Sequence, residues 1–180
     1  MGKKFKCHKI SEGRAEAQAI ISKDHIMFYL IDPATGTVIE KAHDLEGRSV
    51  AHKVLIFPGG KGSSVVQADG LYQLNQKENS PAAMIIEHPE TVLVSSAIIM
   101  EVPMVDRVEP AFYQTVKDGD RIVVDADRRS SKSWRKRRSA SDSFDKGRTG
   151  YPGRKKGKAL SDGTGKYCAL CAGAGGGQTL

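Results

Sequence analysis

Four consecutive apolar residues, Val54-Leu55-Ile56-Phe57, run directly into the loop Pro58-Gly59-Gly60-Lys61-Gly62-Ser63-Ser64. An unbroken apolar run this short reads as a central strand covered on both faces. After the loop, Val65, Ala68, Leu71, Tyr72 and Leu74 recur near helical spacing, with Gly70 weakening the pattern. Ala82 to Ile86 is a second apolar strand, Thr91 to Met100 a second helical segment, and Val102 to Val105 a third short strand. Strand, helix, strand, helix, strand makes a parallel α/β unit.

The chain before this unit reads as β-structure. Phe5 to Ile10 is an expected edge strand, Gly13 to Ser22 runs through small and apolar residues, and Ile26 to Ile31 is an expected compact strand. Asp32-Pro33-Ala34-Thr35-Gly36 carries turn chemistry: Asp accepts local backbone bonds, Pro presets φ and Gly allows positive φ. Val38-Ile39 resumes the strand, and Asp44-Leu45-Glu46-Gly47 is a second turn. Ile122-Val123-Val124, after the turn Lys117 to Asp120, closes the β-structure.

Charge divides the chain. The net charge of +7 suggests a nucleic-acid binder, but residues 1–127 hold 14 Lys and Arg against 18 Asp and Glu, a net of −4, while residues 128–180 hold 14 against 3, a net of +11. An acidic folded domain, 1–127, is therefore followed by a basic Ser/Gly-rich tail, 128–180. That tail holds too few apolar residues to offset its ordering entropy and is expected to be disordered. Its only aromatic interleaving near the arginine runs is Trp134, so a solvated run is a better reading than a nucleic-acid surface. Cys7, Cys168 and Cys171 are an odd, unevenly spaced set, which suits a reducing cytoplasm. No apolar segment approaches membrane-spanning length.

The glycine loop has chemistry of its own. Its glycines let backbone approach a ligand, and the helix start presents unpaired N–H groups with partial positive charge. Lys61 adds a full charge, so a carboxylate or phosphate is welcome, and the same field eases alkoxide formation at Ser63. The competing reading makes the serine a helix N-cap. Pattern alone leaves the two level. The loop matches neither a Walker motif nor a nucleophile elbow.

The run from Lys53 to Ser64 resembles the swivel-domain small subunit of the aconitase X family. So, in order, do Glu12-Gly13-Arg14-Ala15-Glu16-Ala17, Asp32 to Gly36, Ser80-Pro81-Ala82-Ala83, Ile98-Ile99 and Pro103-Met104-Val105-Asp106. The resemblance implies a swivelling β/β/α domain, like the mobile domain of aconitase, docked on a larger subunit. It implies an iron–sulfur cluster on that large subunit and none on this chain. It also makes Ser63 the proton acceptor, with Lys61, Gly62 and Ser64 binding a small anionic substrate. The implied activity is that of a hydro-lyase subunit, active only with its partner. The favoured substrate is mevalonate 5-phosphate, giving trans-anhydromevalonate 5-phosphate; cis-3-hydroxyproline is the alternative.

The remaining candidates read as structural. Cys168-x-x-Cys171 lacks the second pair or nearby His that a zinc site needs. Cys7 and His8 would point to opposite faces of a strand. His43, His52 and His88 read as packed or surface residues, and Asp32 and Asp106 as turn and strand-end residues. A different class of function stays open: a non-catalytic module whose domain binds an anion and whose tail binds RNA or an acidic protein.

Overall fold

The computed structural model describes residues 3–126 and 167–172, all within one unit. β1 (Lys3–Ser11) and β2 (Arg14–Ile21) follow each other in sequence without pairing. Next come a 3-10 turn (Phe28–Leu30) and the small hairpin β3 (Ile31–Asp32) and β4 (Thr37–Val38). The expected α/β unit is then laid out as β5 (Val54–Phe57), α1 (Ser64–Gln76), β6 (Ala83–Ile86), α2 (Thr91–Ile99) and β7 (Met104–Asp106). A short helix α3 (Pro110–Tyr113), β8 (Arg121–Asp125) and β9 (Tyr167–Ala172) complete the described elements.

The main sheet curls into a barrel in the order β1-β7-β6-β5-β2-β8-β9. β2, β5, β6 and β7 are mutually parallel, with Val54 opposite both Ala19 and Ala83. β1 runs antiparallel to β7, pairing His8 with Asp106, and β8 antiparallel to β2.

Every residue of β5 and β6 is buried, as their continuous apolar runs require. Alternation then divides them between two cores. Leu55, Phe57, Met84 and Ile86 face the helices and pack with Leu71 and Leu74 of α1 and Leu93 and Ala97 of α2. Val54, Ile56, Ala83 and Ile85 face the barrel interior with Val105, Ile122 and Val124, where Phe112 of α3 joins them. Each of these Val, Leu, Ile, Met and Phe side chains contributes about 1.5–3 kcal/mol of burial. At the β3–β4 turn, the Thr35 hydroxyl (2.7 Å) and the Ala34 N–H (3.1 Å) bond to Asp32 and hold its carboxyl below the usual carboxylate range.

Three sequence expectations change. Phe5 to Ile10 lies in a strand, but β1 is paired on both sides, by β7 and β9. The Ile26 to Ile31 strand is largely replaced by the 3-10 turn, with Ile26 making a single bridge to Gly60. The buried residues there are Ile26, Phe28 and Ile31; that spacing of two and then three breaks strand alternation, and Leu30 N–H closes the turn on the Met27 carbonyl (2.9 Å). Finally, the tail expected to be disordered contains β9, parallel to both β1 and β8. Tyr-Cys-Ala-Leu-Cys-Ala is an apolar hexapeptide inside a polar tail, which is why it can serve as a strand. The remainder of 127–180 lies outside the described residues.

Candidate active site at the strand ends

Because β5, β6 and β7 are parallel, the segments after Phe57, Ile86 and Asp106 leave from one edge of the sheet. Ligands of parallel α/β sheets gather outside this C-terminal edge. The glycine loop is clamped there from two sides. Glu87 and His88 donate their N–H groups to the Phe57 (3.2 Å) and Pro58 (2.8 Å) carbonyls. On the other side Ile26 N–H donates to Gly59 O (2.9 Å), and Lys61 N–H returns a bond to Ile26 O (3.0 Å).

The segment carrying Ile26 is itself braced. Asp44 accepts hydrogen bonds from the Ser22 hydroxyl (2.8 Å) and Lys23 N–H (2.6 Å). The buried His43 donates through Nε2 to the His25 carbonyl (3.2 Å), which leaves Nδ1 to accept from Leu45 N–H (3.0 Å). Asp24, His43 and Asp44 bring candidate ligand atoms within 4.8 Å of one another. These atoms are committed to backbone and to Ser22, so the cluster is a brace for the loop and not a built metal centre.

Ser63 occupies the N-cap position of α1 with φ −70° and ψ 161°, yet its side chain makes no capping hydrogen bond. Its carbonyl accepts the Gln67 N–H (3.1 Å), and Gly62, Ser63 and Ser64 are exposed. The backbone therefore starts the helix at Ser63 while the hydroxyl faces solvent uncommitted to the helix. Lys61 departs from the simple expectation of an open cation: its Nζ lies 2.5 Å from Glu40 Oε1, so part of its field at the loop is offset.

Sequence reasoning missed the residue beneath the loop. Gln67 is 2% exposed, and its Nε2 donates to Gly62 O (3.0 Å) and Glu90 Oε2 (3.2 Å). Its Oε1 has no hydrogen-bond partner among the described residues and lies against Gly60, where any Cβ would run into it. A signal was available, since Gln67 stands one turn before Leu71 and two before Leu74 on the inward stripe. Glu40 and Glu90, by contrast, carry no local mark.

Other candidates fall away from this edge or into packing. Cys7 is buried and His8 exposed, on opposite faces as expected, with His8 Nδ1 2.6 Å from the buried Asp106. His52 and His88 are exposed. The side chains of Cys168 and Cys171 lie outside the described residues. An open groove of about 600 Å³ bordered by Glu16, His52, Lys53 and Arg121 sits at the start of β5, the opposite edge from the loop. Among the described residues no helix is long and apolar enough to cross a membrane.

The family model for the aconitase X swivel domain matches residues 4–132. This chain belongs to the aconitase X swivel-domain family. Among its relatives, the phosphomevalonate dehydratase small subunit of Methanothrix thermoacetophila is 49% identical over 125 residues, covering 69% of this chain and 90% of that protein. The protein of the same name from Methanocella arvoryzae is 50% identical over 122 residues, covering 67% and 92%. The crystal structure of Thermococcus kodakaraensis aconitase X in its holo-form superposes with a TM-score of 0.63 at 39% identity, covering 68% of this chain and 92% of that one. The swivel-domain match takes in the serine loop and the helices α1, α2 and α3, whereas β9 lies beyond it.

Proposed function

We propose that this chain is the small subunit of a hydro-lyase that dehydrates mevalonate 5-phosphate to trans-anhydromevalonate 5-phosphate, with Ser63 as the general base. The observation that carries the reading is the uncapped hydroxyl at the start of α1, at the ligand-binding edge of the sheet. The names of relatives at 49% and 50% identity support the choice of substrate. Ser63 Oγ takes a proton from the carbon next to the one bearing the hydroxyl. The electrons of that C–H bond become the second bond between the two carbons, and the C–O bond breaks with its electrons on oxygen. The hydroxide so released takes a proton from solvent and leaves as water, balanced when Ser63 returns its acquired proton to solvent. The helix start lowers the cost of negative charge on Oγ, with Lys61 assisting to the extent that Glu40 allows. Free backbone N–H groups at the start of α1, together with Gly62 and Ser64, hold the substrate's anionic group.

The large subunit is the partner. An iron–sulfur cluster held there would supply Lewis-acid help to the departing hydroxyl.

Ser63→Ala in the assembled heteromer is expected to lower turnover of mevalonate 5-phosphate at least about 100-fold. Its melting temperature should be unchanged, because no capping bond is lost. Turnover close to that of the parent would make Ser63 a helix start only. Turnover of cis-3-hydroxyproline in place of the phosphate ester would move the chain to the alternative substrate.

A further inference from the structure

We propose that Gln67 is a positioning residue for this site, holding the peptide plane between Gly62 and Ser63 and fixing it against the start of α2. The inference rests on the reading of Ser63 as the base. The Gly62 carbonyl that Gln67 holds belongs to the same peptide as the Ser63 N–H. Rotation of that plane would swing both the serine and the first donor of the helix.

The geometry of the amide allows one orientation. Its two partners, Gly62 O and a Glu90 carboxylate oxygen, can only accept, so the nitrogen must face them. The oxygen then lies against Gly60, and only glycine leaves room for it there. Gly60 thus has a purpose beyond loop flexibility: it lets a buried side chain from the next turn of α1 reach under the loop. The same nitrogen joins the starts of the two helices, since Glu90 occupies the N-cap position of α2. The loop is consequently held from below by Gln67, and from its two sides by Ile26 and by Glu87-His88.

The test compares Gln67→Glu and Gln67→Met in the complete heteromer with mevalonate 5-phosphate as substrate. The first keeps the shape of Gln67 but turns donors into acceptors; the second removes both. Each is expected to lower kcat about 10- to 100-fold, the effect of displacing a reacting group by roughly an ångström, while KM moves less than about threefold. Adding Glu90→Gln to Gln67→Glu restores a donor between the helix starts but none to Gly62. That double variant should regain melting temperature and not kcat.

A kcat within about twofold of the parent in Gln67→Met would overturn the proposal. So would recovery of kcat in the double variant, which would reduce Gln67 to a stitch between helices. If Gln67→Glu does not fold, Gln67→Met and the melting curves decide alone. Ser63→Ala measured alongside separates the two readings. A slow Gln67→Met with a normal Ser63→Ala rejects the serine base but keeps the clamp, and the reverse pattern rejects the clamp alone.

Discussion

Gly70 sits in the middle of α1, where glycine ordinarily costs a helix about 1 kcal/mol relative to alanine. Read from sequence, it only weakens the expectation of a helix. In the fold it is the point where α1 meets the 3-10 turn, and a Cβ there would strike the backbone of Phe28 and Tyr29. Gly70→Ala is therefore expected to lower the melting temperature despite the better helix former. The backbone it would strike cannot swing aside like a long side chain, and overpacking of this kind costs about 1–3 kcal/mol. A rise in melting temperature would show that the turn can retreat. The serine loop itself was legible because its residues are contiguous. The residues that hold it were not, because Glu40, Glu90 and Ile26 reach it only through the fold.

Among the elements, the parallel unit is legible since β5 and β6 are buried on both faces and so read as unbroken apolar runs. The turn around Phe28 is not, because apolar residues spaced by two and then three fit strand and turn equally. α3 gave no signal long enough to see, yet it places Phe112 at the barrel core and Tyr113 beside it. Burial first, then the charges of Glu87 and Asp106, push the Tyr113 phenol up from 10.0 to about 12. In the unfolded chain it deprotonates near 10. Between those values the folded state holds a proton that the unfolded state has lost, so stability falls as pH rises through that window. Tyr113→Phe should remove this part of the alkaline loss. Denaturant midpoints of parent and variant from about pH 9 to 12 would reveal it, and parallel curves would place the phenol in contact with solvent.

On the scale of the whole molecule, β9 makes the barrel a ring. It lies between β1 and β8 and is parallel to both, so each neighbour loses an open edge. Ala169→Pro removes one N–H from β9 and its ladder bond. The expected outcome is a lower melting temperature with dehydration by the heteromer unchanged, because β8 and β2 separate β9 from the serine-bearing loop after β5. An unaltered melting curve would mean that β9 adds nothing to the barrel. The family match ends at residue 132, so closure of the ring by β9 is a feature of this chain beyond the shared swivel domain.

The partners in that closure lie at opposite ends of the chain: Lys3 pairs with Cys168 and Cys7 with Ala172, roughly 165 residues apart. A ribosome releases β1 early and β9 late, an interval on the order of ten seconds at ordinary elongation speeds. Throughout that interval one side of β1 offers bare N–H and C=O groups to any other nascent strand. Its sequence is suited to the wait. Lys3, Lys4, Lys6 and Lys9 put like charges along an edge that would otherwise recruit a second copy of itself, the device by which natural sheets discourage edge-to-edge aggregation.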